Sequence, residues 1–240
     1  MSLYTIADLH LSTLDKTNKS MEVFGNRWTS YMQRLEENWR RLVTDDDIVV
    51  IPGDISWALS LEEATSDLKF LDSLPGKKIL GKGNHDFWWC TMKKHNEHFA
   101  AHGISTLSFL FNDAHDVGSC IVAGTRGWFF DEKNAKLPNK PDFEKLAARE
   151  ELRLETSLKA AVALAEGTDK EIIVFMHFPP VFGSDVCEGL IEILKKYGIK
   201  NVYYGHIHGN YTIPSVFEYE GISMHLISAD YLAFTPKHVR

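Results

Sequence analysis

The chain has 240 residues, 44% hydrophobic and 25% charged, a globular composition that excludes a disordered, collagen-like or coiled-coil chain. No run approaches the roughly 18 apolar residues of a membrane helix, and Met1-Ser2-Leu3-Tyr4-Thr5-Ile6 lacks the basic and apolar regions of a signal peptide. With 26 Lys and Arg against 33 Asp and Glu, the formal charge of −7 weighs against an extended nucleic-acid surface. Cys90, Cys120 and Cys187 form no CxxC pair and cannot all be paired, so a reduced, cytoplasmic protein is the simplest reading.

In chain order, short apolar runs predict strands at Leu3–Ala7, Ile48–Ile51, Lys78–Leu80, Cys120–Ala123, Ile172–Met176, Val202–Tyr204 and Met224–Ile227. Helical patterns fall between them. Trp28, Leu35, Trp39 and Leu42 share one stripe, Phe143–Ala165 is rich in helix formers and stops at Gly167, and Glu188–Tyr197 is closed by Gly198. The alternation predicts a single α/β domain over 1–240. The stretch 112–143 fits least well and reads as an insertion over the site.

The residues just past each strand carry the chemistry. The runs lead into Asp8-Leu9-His10, Pro52-Gly53-Asp54, Gly83-Asn84-His85-Asp86, His177-Phe178-Pro179 and Gly205-His206-Ile207-His208. In open α/β sheets, ligands sit outside the carboxyl ends of the strands. Side chains two apart on an extended chain point the same way, so Asp8 pairs with His10 and His206 with His208. A set of carboxylate, imidazole and amide groups suits Zn, Mn or Fe better than Mg or Ca. Seven such groups exceed one tetrahedral zinc and suit two metals sharing a carboxylate.

The ordered set D-x-H, G-D, G-N-H-D, a lone His and G-H-x-H, spread from Asp8 to His208, resembles the calcineurin-like metallophosphoesterase superfamily. That resemblance implies a four-layer α/β/β/α sandwich with two mixed sheets and two divalent ions, Mn, Fe or Zn. It implies Asp8, His10 and His208 on one ion, Asn84, His177 and His206 on the other, and Asp54 between them. His85 would face the substrate without binding metal. The implied reaction is direct attack of a metal-bridging hydroxide on a small anionic phosphomonoester or phosphodiester, with His85 assisting the leaving group and no covalent intermediate.

One departure stands out. Protein phosphatases of this superfamily carry G-D-x-x-D-R-G, but here the stretch is Gly53-Asp54-Ile55-Ser56-Trp57-Ala58-Leu59, with Trp57 in place of the second Asp and no Arg after it. Asp86 is a candidate partner for His85 in its stead. Arg126, after the Cys120–Ala123 run, and Asn84 are candidate phosphate contacts, while an ordinary surface arginine is the competing reading of Arg126. Arg149 and Arg153 read as intrahelical ion pairs, and most of the aromatics flanking the motifs as packing between sheets, with one or two of them candidates for an apolar wall against an organic leaving group. His95-Asn96-Glu97-His98 lacks the H-E-x-x-H spacing of a zincin and reads as a solvated helix face. Rival functions are a nuclease or cyclic nucleotide phosphodiesterase, or a catalytically silent scaffold. The complete ligand set speaks against the scaffold, and the acidic charge against the nuclease.

Overall fold

The computed structural model describes residues 1–13, 21–128 and 143–240. Two sheets face each other. The first is built from β1 (Leu3–Thr5), β2 (Ile48–Pro52), β3 (Lys77–Gly81), β4 (Leu107–Phe109) and β13 (Lys237–His238), in the order β13-β1-β2-β3-β4. Strands β1 to β4 run parallel, and β13 closes one edge antiparallel to β1. The second is built from β5 (Ala114–Asp116), β6 (Ile121–Thr125), β7 (Ile172–Met176), β10 (Asn201–Tyr204), β11 (Val216–Tyr219) and β12 (Ile222–Leu226), in the order β11-β12-β10-β7-β6-β5. Its centre is parallel and both edge strands are antiparallel, so both sheets are mixed. A two-stranded hairpin of β8 (Val181–Phe182) and β9 (Asp185–Val186) stands apart.

Strand alternation explains the layers. In β2, Val49 and Ile51 pack outward with Leu35 and Trp39 of α1 (Tyr31–Leu42) and Leu68 and Leu71 of α2 (Leu61–Ser73), while Val50 turns inward. In β7, Val174 and Met176 meet Leu154 and Leu158 of α4 (Phe143–Ala165) and Leu190 and Leu194 of α5 (Glu188–Lys196), while Ile173 and Phe175 turn inward. The inward residues Leu3, Val50, Ile79, Val122, Ile173, Phe175 and Tyr203 form a core between the sheets. Period-2 alternation on two-sided strands thus yields three apolar layers and four layers of structure, α/β/β/α.

The helices are sealed by local chemistry. Helix α1 buries Tyr31, Leu35 and Trp39, spaced by four on one face. Ser60 caps α2 by accepting the Glu63 N–H at 3.3 Å, and Thr91 caps α3 (Met92–His102) in the same way with Lys94. Among the described residues, no helix is long and apolar enough to cross a membrane.

Within the stretch 112–143, residues 114–125 form the β5–β6 hairpin at the edge of the second sheet, and 129–142 lie outside the described residues. One expectation changes. His95 and His98 are not solvated: His95 is fully buried against Trp88, Trp89 and Phe109, and His98 pairs with Thr65 Oγ1 at 3.0 Å. Alternating polar letters hid a helix face that packs aromatic rings.

Candidate metal centre

The strand ends of both sheets meet at one edge. Past β1 the chain keeps pairing with the segment after β2, through Asp8 N–H to Gly53 O at 3.0 Å and His10 N–H to Asp54 O at 2.9 Å. Asp8, His10, Asp54 and His206 all take left-handed backbone, with φ of 60°, 46°, 51° and 69°. Such conformations cost roughly 1–3 kcal/mol each for residues with a Cβ and gather at functional sites. Two glycines permit the close approach: a Cβ on Gly83 would collide with the Asp54 carboxylate, and one on Gly205 with that of Asp8.

The two carboxylates are held alike. Asp8 Oδ2 accepts the His206 N–H and Asp54 Oδ1 accepts the His85 N–H, each at 2.8 Å. That leaves Asp8 Oδ1 and Asp54 Oδ2 aimed at a common space. Asp54 Oδ2 lies 3.7 Å from His10 Nε2 and 3.6 Å from His177 Nε2. Asp8 Oδ1 lies 3.4 Å from His177 Nδ1 and 3.9 Å from His208 Nε2. His10 Nε2 and His208 Nε2 are 3.1 Å apart. Asn84 Oδ1 lies between His177 Nε2 at 2.6 Å and His206 Nδ1 at 3.1 Å. The structure therefore brings together all seven residues singled out in the sequence.

These separations fit a cation. Most of the carboxylate–imidazole distances exceed a normal hydrogen bond, whereas two donors each about 2.1 Å from one tetrahedral ion sit about 3.4 Å apart. Asp8 Oδ1 and His177 Nδ1 are buried with no hydrogen-bond partner. Burial lifts the Asp8 carboxyl to about 6, and burial together with Asp86 and Asp8 holds Asp54 well above the usual range. Burial, aided by neighbouring histidines, drives His10 and His177 well below theirs. A cation relieves both, stabilising carboxylates and binding neutral imidazoles. Asp8, His10 and His208, and Asp8, Asp54 and His177, are two groups that can hold metal ions.

His85 stands beside the cluster, its ring 5.6 Å from that of His10 and 4.5 Å from the Trp57 indole. Trp57 also stacks on His10 at 4.8 Å with the planes 23° apart, so it belongs to the site edge and not to the packing between sheets. Asp86 does not serve His85. Its buried carboxylate accepts the backbone N–H groups of Asp54, Ile55, Ser56 and Gly83 and the Trp88 Nε1–H, tying the two motif loops together. Arg126 offers its backbone carbonyl to His177 and Phe178, and its side chain leans to buried Glu150, Nη2 to Oε1 at 3.6 Å. Sequence reasoning missed Asp230, which is fully buried and meets His208 Nδ1 at 2.9 Å. Its signal was available, because it too comes after a strand end, four residues past β12.

The calcineurin-like phosphoesterase family profile matches residues 1–210, and the chain belongs to that family. Among solved structures it is similar to TT1561 of Thermus thermophilus, with a TM-score of 0.55, 11% identity and coverage of 99% of this chain and 97% of that one. It is also similar to the phosphopantetheinyl hydrolase PptH of Mycobacterium tuberculosis, with a TM-score of 0.52, 14% identity and coverage of 99% and 95%. At these identities the likeness is one of fold. No curated protein matches the chain.

Proposed function

We propose that the chain is a dinuclear metal-dependent phosphoesterase acting on a small phosphomonoester or phosphodiester. The observation that carries the reading is the pair of carboxylates, Asp8 and Asp54, each anchored by one oxygen and turning the other into a space shared with His10, His177 and His208. Asp8, His10 and His208 would hold one ion and Asn84, His177 and His206 the other, with Asp54 shared by the two sets. When bound, divalent ions would supply polarisation of phosphoryl oxygens and a water made nucleophilic near neutral pH. Mn, Fe and Zn suit these donors.

The chain's own groups do the rest. Asp8 and Asp54 bring negative charge that fixes the ions while leaving a net positive pocket for a phosphate. His85, held by its backbone bond to Asp54 and by the face of Trp57, gives a proton to the departing oxygen. Trp57 and Ala58 offer neither the carboxylate nor the guanidinium of the protein-phosphatase motif. Esters with a good leaving group therefore depend least on proton donation and react best.

The test is a screen of the purified protein under Mn, Fe, Zn and Ni against p-nitrophenyl phosphate, its bis-ester, nucleotides, cyclic nucleotides and a phosphoserine peptide. Metal-dependent hydrolysis, with kcat/KM for aryl esters far above that for the peptide, supports the reading. No turnover with any metal refutes it, and a peptide that equals the aryl ester refutes the preference.

A further inference from the structure

Beside the metal centre runs a narrow cleft lined in part by Lys82, Gly124, Thr125, Arg126, Glu150 and Arg153. Glu150 is the one carboxylate among the described residues lining it. It is fully buried and receives the Thr125 hydroxyl at 2.7 Å and Arg153 Nη1 at 2.8 Å, with Arg126 Nη2 at 3.6 Å and Arg149 Nε at 3.5 Å. One arginine would neutralise Glu150. Three surround it, and Lys82 joins the same cleft without an ion pair among the described residues. Among the described lining residues three cations, Lys82, Arg126 and Arg153, stand against the one carboxylate, an excess of two charges, in a chain whose formal charge is −7. Like charges so close repel unless an anion offsets them.

The cations are also arranged to receive one. Arg153 lies over the Phe111 ring at 5.2 Å and Arg126 over Trp128 at 5.5 Å, which fixes both guanidinium planes. Arg126 Nε is buried and has no acceptor. The cleft adjoins the metal residues through the chain itself: Lys82 precedes Gly83-Asn84-His85, and the Arg126 carbonyl accepts the His177 N–H at 3.1 Å. The charge of Arg126 bears on both Asp54 and His177.

We propose that this cleft is a second anion subsite, so that the substrate is a phosphoester carrying a further oxyanion away from the scissile phosphorus. The substrate statement rests on the phosphoesterase reading; the anion site does not. A planar guanidinium pair takes the two oxygens of a phosphate or a carboxylate, and Lys82 adds a point charge at the side facing the motif loop. Phosphate and carboxylate share this chemistry, so the substrate series must separate them.

The experiment compares kcat/KM for ethane-, butane- and hexane-diol bisphosphates, the matching phosphoalkanoates and the matching monoalkyl phosphates. At least one doubly anionic ester is expected to exceed its monoalkyl counterpart about tenfold, beyond the statistical factor for two equivalent ends. Whether phosphate or carboxylate gives the larger gain names the source. Lys82→Gln should lower that ratio and Lys82→Glu should lower it further; Arg153→Gln is the second variant, and melting curves confirm that each is folded. In parallel, metal-stripped protein is titrated with inorganic pyrophosphate by calorimetry, with binding expected for the unmodified chain and lost in Lys82→Glu. Ratios near one, or a ratio and a titration indifferent to Lys82→Glu, overturn the subsite. Absence of turnover on every ester refutes the phosphoesterase reading instead, and the titration then judges the cleft alone.

Discussion

Asp230 Oδ1 stands 2.9 Å from His208 Nδ1, while the opposite ring nitrogen of that histidine faces His10 and Asp8. The other Asp230 oxygen takes the Gly209 N–H at 3.0 Å and the Tyr211 hydroxyl at 2.9 Å, so the carboxylate is locked from both sides. Burial pulls the His208 pKa down, but the hydrogen bond to Asp230 and the charges of Asp8 and Asp230 outweigh it and raise it. A carboxylate behind a ligating imidazole fixes its tautomer and sharpens its basicity. Asp230→Asn keeps the shape and removes the charge. Metal affinity, measured by competition with a chromogenic chelator, should fall about 10–100-fold with the melting temperature little changed. Unaltered affinity would show that Asp230 only packs.

Asp54→Ala and His85→Ala separate binding from chemistry. Asp54 Oδ2 is within 3.7 Å of both His10 and His177, so its loss should strip metal from both halves of the site. The hydrogen bond from His85 to Asp54 comes from its backbone N–H, which alanine retains. The His85 variant should hold two metals per chain while kcat falls by about 10²–10⁴. Elemental analysis decides: metal loss without His85, or two metals kept without Asp54, contradicts the assignment.

Much of this site is legible in the sequence because each ligand closes a strand, and strand ends are where periodicity changes. Ile172–Met176 is predicted to the residue, and the Asp, His and Asn letters behind five such runs converge as the α/β rule requires. What escaped was the support. Asp86 sits next to His85 in sequence, yet its oxygens turn to backbone N–H groups some thirty residues away, a contact no local pattern encodes. Short edge strands such as β4 and β13 were invisible for a related reason: two or three residues carry no period, and only pairing with a neighbour defines them.

The role of Asp86 predicts a fold defect and not a kinetic one. Its carboxylate satisfies four backbone N–H groups and one indole N–H in a site closed to water. Each buried donor left unmet costs about 1–3 kcal/mol. Asp86→Ala should therefore destabilise the chain by roughly 3 kcal/mol or more, and Asp86→Asn, which keeps one acceptor oxygen, by less. Urea unfolding measures both. A stable alanine variant with impaired turnover would place Asp86 in the chemistry after all.

Lys78 lies buried on β3, its ammonium donating to the Leu74 carbonyl and to Thr106 Oγ1. Burial lowers its pKa to about 8; Asp72 and Asp45 pull it back up and Arg40 pushes it further down. The folded value lies below the unfolded one, so between about 8 and 10.5 the unfolded chain holds the proton more tightly. Stability therefore rises with pH across that window, and the cost of burying the charge is fully present below it. Lys78→Met removes the titration while keeping an unbranched apolar stem. The unfolding free energy of the native chain should gain on that of the variant by up to about 1.4 kcal/mol per pH unit from pH 8 to 10. Taking the difference between the two proteins cancels the tyrosines that titrate near the top of the range. Parallel profiles would mean that Lys78 keeps an ordinary pKa inside the fold.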